Sequence, residues 1–135
     1  MSPAKAKVIL LEDNQLLREC AILDLQEAGH TVLFAEEDRD TAINKLENLS
    51  EAPDVAILDG MCPTKPGRYM SEYAGGDVAS KVKEWFPETT IVMFSSREKT
   101  FSEYRFPPKG IYKDDQVIEG QLGQFVTNLP ASAKK

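Results

Sequence analysis

"VILLEDNQLL" (8–17) carries four apolar residues straight into two acids and then into a helical pattern. Because the run is apolar at every position rather than at every second one, it reads as a strand covered on both faces, the kind found in parallel sheets. Glu12 and Asp13 then stand at its carboxyl end. Neighbouring carboxylates repel unless something positive joins them.

Comparable runs follow at "TVLFA" (31–35), "DVAILD" (54–59), "TIVMFSS" (90–96) and "GIYK" (110–113). Helical spacing separates them. Leu17, Cys20, Ala21, Leu25 and Ala28 share a face that Gly29 ends, and Ala42, Ile43, Leu46 and Leu49 share another, with Asp38 or Asp40 as cap. Val78, Val82, Trp85 and Phe86 give a third helix stopped by Pro87, and Ile118, Leu122, Phe125, Val126 and Leu129 a last one. Strand and helix in alternation predict an α/β fold: a five-stranded, doubly wound parallel sheet with helices on both faces, a three-layer αβα sandwich.

The chain has 135 residues and is read as one domain over 1–135, with a core over about 6–130 and frayed ends at "MSPAKA" and "PASAKK". Sixteen basic against 22 acidic residues leave a net charge of −6, which argues against direct nucleic-acid binding and against an anionic membrane surface. Only Cys20 and Cys62 are present, too few for a disulfide framework, and no apolar run reaches the length of a membrane span. The expectation is a soluble, cytoplasmic protein.

In open α/β sheets ligands sit beyond the carboxyl ends of the strands, near the point where strand order reverses. Gathered at those ends are Glu12 and Asp13, Asp59, Ser95 with Ser96, and Lys113. Three carboxylates on one rim call for a cation, and an all-oxygen, partly hydrated site suits Mg²⁺. Asp59 is placed to attack phosphorus as carboxylates do in aspartyl-phosphate chemistry, with Ser95 and Lys113 meeting the oxygens of the transferred group. His30, alone in a helix-to-strand turn without an acid partner, does not read as catalytic, so a phosphohistidine donor comes from another protein.

"LLEDN", "AILDGMCP", "VMFSS" and "GIYKD", in that order, resemble the receiver domain of two-component response regulators, the CheY-like family. The resemblance implies Glu12 and Asp13 as Mg²⁺ ligands together with Asp59 and the Met61 backbone carbonyl, Asp59 as phosphoacceptor, Ser95 as switch hydroxyl and Lys113 as phosphoryl contact. It implies a phosphoprotein switch rather than a turnover enzyme. Here that is a stand-alone receiver taking phosphate from a histidine kinase or a histidine phosphotransfer protein and thereby changing which downstream protein it binds. A receiver-like interaction module that works without phosphorylation is the alternative, and homodimerisation is left open.

Three departures from the family pattern stand out. "TKPGRYMSEYAGG" (64–76) adds about eight residues where a short loop is usual, and Lys65, Arg68, Tyr69 and Tyr73 within it are interface-forming types. The segment from Ser95 to Lys113 is about four residues short and holds "FPPKG", which predicts a fourth helix shortened or replaced by loop within the 97–110 region. Gly110 replaces the usual aromatic and Asp114 the usual proline around Lys113, while bulky Met61 and Arg97 stand where the family tunes the attacking water, which predicts slow self-dephosphorylation.

Overall fold

The computed structural model describes residues 5–95, 109–112 and 122–129, with side chains at 5–93 and 122–129. Five strands form one sheet: β1 (Lys7–Leu11), β2 (Thr31–Glu36), β3 (Val55–Leu58), β6 (Thr90–Ser95) and β7 (Lys109–Tyr112). Their order is β2-β1-β3-β6-β7 and every neighbouring pair is parallel. The continuous apolar runs explain this arrangement, since β1 and β3 are buried on both faces.

Alternate residues of each strand serve opposite cores. Val8, Leu10, Val55, Ile57 and Val92 pack against α1 (Gln15–Glu27) and α4 (Leu122–Thr127) through Ala21, Leu25, Leu122 and Val126. On the other face Ile9, Leu11, Ala56, Leu58, Ile91 and Met93 meet α2 (Arg39–Glu47) and α3 (Ala74–Trp85) through Ala42, Leu46, Val78, Ala79 and Val82. The chain is thus the three-layer αβα sandwich of the flavodoxin/CheY-like class.

Local chemistry sets the helix ends. Asn14 caps α1 by accepting from Leu17 N at 3.0 Å, and Gly29 ends the turn after it at φ 92°, a conformation that glycine adopts without a Cβ clash. Asp38, 1 % exposed, caps α2 by accepting from Thr41 N at 2.9 Å. His30 is a buried pin: its Nδ1 accepts from Ala6 N at 3.0 Å, so Nε2 carries the proton and faces Gly123 O at 3.0 Å and Thr127 Oγ1 at 2.9 Å. One ring ties the entrance of β1 to α4.

The added segment differs from a plain loop. Cys62–Pro63 (β4) and Met70–Ser71 (β5) pair as a short antiparallel ribbon, and Asp40 N donates to Thr64 O at 3.0 Å. Residues 65–69 between them are exposed. α3 begins at Ala74, four residues before Val78, so the end of that segment is helical despite Gly75 and Gly76. Packing overrides glycine's poor helix propensity here. Of the 97–110 region, residues 97–108 lie outside the described residues, as do Lys113, Asp114 and Ile118, while Lys109 and Gly110 open strand β7.

Candidate functional site

Parallel pairing in register places the carboxyl ends of β1 and β3 side by side, with Leu11 opposite Leu58. Backbone bonds continue past both strands: Glu12 N donates to Glu36 O at 3.0 Å and Asp59 N to Leu11 O at 2.9 Å. Strand order reverses between these two strands, because β2 lies to one side of β1 and β3 to the other. The acids therefore stand at the crevice where doubly wound folds bind ligands.

Glu12 is fully buried and its Oε2 accepts from Asn14 N at 2.9 Å, while Arg18 Nη1 donates to the Glu12 carbonyl at 2.9 Å. Asp13 is half-buried. Asp59 is 4 % exposed, and its Oδ1 accepts from Met61 N at 3.1 Å, which sets the rotation of the carboxylate. One oxygen from each of Glu12, Asp13 and Asp59 lies within 4.8 Å of the others. Helix capping does not account for the acid pair, since Asn14 does that work.

The field of this cluster registers on a neighbour. Burial, followed by the charges of Asp59, Asp13, Asp38 and Glu12, pushes the Cys62 thiol up to about 12. Such a thiol stays protonated and packs as an apolar group. A site that concentrates negative charge while offering only oxygen donors fits a hard divalent cation such as Mg²⁺. The donor set, not its exposure, makes that argument.

Of the residues singled out from sequence, Glu12, Asp13 and Asp59 come together, and Met61 follows in the same turn. Ser95 ends β6, in register with Tyr112, and its side chain lies outside the description, as does all of Lys113. Arg18, Asp38 and Gly75 were not anticipated here. Asp38 was legible only as a helix cap; Arg18 and Gly75 reach the site through space, and no spacing rule announces them.

A scan against protein-family models finds no match. The virulence transcriptional regulatory protein PhoP of Salmonella typhimurium is 39 % identical over 61 residues, covering 45 % of this chain and 26 % of that protein. The match spans about a quarter of the length of the curated relatives. Among solved structures, the signal receiver domain of the response regulator NarL from Mycobacterium tuberculosis has a TM-score of 0.66 at 22 % identity, covering 92 % of this chain and 96 % of that one. The BeF3-activated DrrB receiver domain has a TM-score of 0.65 at 18 % identity, covering 91 % and 96 %.

The chain has the CheY-like receiver-domain fold, the class of domain that response regulators carry in two-component signalling. Among the described residues no helix is long and apolar enough to cross a membrane.

Proposed function

We propose that this receiver domain accepts a phosphoryl group on Asp59 in a Mg²⁺-dependent step and thereby changes which protein it binds. The observation that carries the reading is the convergence of Glu12, Asp13 and Asp59 within 4.8 Å at the switch point of the sheet. Bound Mg²⁺ would neutralise the carboxylates and the transferred phosphoryl. Glu12, Asp13 and Asp59 would hold it, joined by the Met61 carbonyl as the family resemblance implies.

The remaining roles belong to the chain. Met61 N–H holds the Asp59 carboxylate in one rotation, so that an oxygen faces the incoming phosphorus. In the transfer an O–P bond forms at Asp59 as the N–P bond of a phosphohistidine breaks, and the bonding pair leaves with the imidazole nitrogen. Ser95 and Lys113 would bind the phosphoryl oxygens, and His30, committed to three structural contacts, is no donor. A histidine kinase or histidine phosphotransfer protein in the cytoplasm would supply the phosphohistidine. Glu12, Asp13 and Asp59 are fitted to hold a cation and accept a phosphoryl group, which supports a switch rather than a turnover enzyme.

The test follows amide NMR shifts around Asp59 as Mg²⁺ and then beryllofluoride are added. Saturable shifts that Asp59→Asn abolishes are expected. Their absence in the wild-type chain would overturn the reading and favour an interaction module that works without phosphorylation.

A further inference from the structure

The first turn of α3 rests directly on the backbone that carries Asp59. A Cβ built on Gly75 would stand 2.2 Å from the Asp59 carbonyl oxygen, 2.7 Å from the Gly60 Cα and 2.9 Å from the Asp59 carbonyl carbon. Non-bonded carbon and oxygen atoms do not approach so closely. Gly75 N also donates to Gly60 O at 3.3 Å. Glycine is a poor helix former, so its place in a helix wants a packing reason, and this contact supplies one.

The same short turn contains the bond from Met61 N to Asp59 Oδ1 that sets the carboxylate. Arg39 also holds the start of α3. It donates to Asp40 Oδ1 at 2.9 Å and to Asp77 Oδ2 at 3.0 Å, clamping the first turns of α2 and α3 together. Gly123 makes a similarly close approach, with its built Cβ 2.5 Å from Asp24 O, but between α1 and α4 on the opposite face of the sheet. Of the two close approaches, the one at Gly75 backs the acid cluster.

We propose that Gly75 is a positioning residue for the Asp59 site: it lets α3 press on the Asp59–Met61 turn and hold that turn where Asp59 meets Glu12 and Asp13. This rests on the proposed function and deepens it. A side chain at position 75 displaces the turn and spreads the oxygen ligands, whereas damage elsewhere in α3 lowers stability and leaves the ligands in place. Changes in the shell behind metal ligands typically weaken metal binding by about 10–100-fold.

The experiment titrates Mg²⁺ into the full chain by calorimetry and compares amide NMR spectra of the metal-free proteins, for wild type, Gly75→Ala and, as a control in the same helix, Val78→Ala. The expected result for Gly75→Ala is affinity weaker by about 10–100-fold, with metal-free amide shifts centred on Asp59, Gly60 and Met61. Val78→Ala keeps wild-type affinity. Wild-type affinity in Gly75→Ala, or an equal loss in Val78→Ala, overturns the proposal.

Should Gly75→Ala not fold, Arg39→Gln decides, because removing a positive charge cannot by Coulomb's law weaken the binding of a cation, whereas unclamping α3 does. Weaker binding supports the positioning role; unchanged or tighter binding overturns it. A wild-type chain that takes no Mg²⁺ sinks the proposed function instead, and the metal-free shifts at Asp59–Met61 then judge Gly75 alone.

Discussion

His30 is nearly fully buried, and each of its ring nitrogens is committed to a polar partner. Replacing it by alanine strands the Ala6 N–H and opens a cavity, while the Gly123 carbonyl keeps the Thr127 hydroxyl at 3.0 Å; the expected cost is about 2–4 kcal/mol in urea denaturation. Cys62 differs in kind. Its thiol, raised to about 12, is neutral in the fold, so its stabilising contribution is complete below the unfolded thiol value and declines as pH rises above it. In metal-free protein, Cys62→Ala should flatten the loss of unfolding free energy above about pH 8.5, and native alkylation should reach half-buried Cys20 well before Cys62. Equal alkylation rates would contradict this burial. Glu12, Asp13 and Asp59 were legible as a group because each follows an apolar run, and strand ends in a parallel sheet share a rim. Arg18 was not legible, since its bond to the Glu12 carbonyl crosses a helical turn and leaves no pattern in residue types.

Elements whose ends are marked by local chemistry were read nearly as they stand. β1 spans the residues expected of it, and α2 begins after Asp38, whose carboxylate caps Thr41 N. Asp38→Ala should lower stability by about 1 kcal/mol for the lost cap, measured by thermal or urea unfolding; a neutral result would mean that removing one acid from the crowd around Cys62 offsets it. α3 shows where local reading fails. Paired glycines look like a break, yet Gly75 sits in the first turn because the Asp59 carbonyl leaves no room for a Cβ. The segment before it, with Tyr69 95 % exposed, forms a ribbon whose feet at Cys62–Pro63 and Met70–Ser71 no periodicity predicts, since two-residue strands carry none.

At the scale of the molecule, two apolar cores on opposite faces of one sheet hold the site at their shared carboxyl edge. The layering followed from alternation, since continuous strands need helices on both faces, whereas the strand order that places the crevice beside β1 and β3 emerges only in the folded sheet. Binding at that edge must feed back on the whole fold. Mg²⁺ at about a hundred times its dissociation constant should stabilise the native chain by about 2.7 kcal/mol, read as a rise in melting temperature that Asp59→Asn reduces. If the three gathered carboxylates ready Asp59 to take phosphate, intact-protein mass spectrometry after incubation with acetyl phosphate will show it. The expected result is the mass gain of one phosphoryl group with Mg²⁺ present, lost on chelation and absent in Asp59→Asn. A gain that survives both the chelator and the substitution, or no gain in the wild-type chain with Mg²⁺, would contradict it.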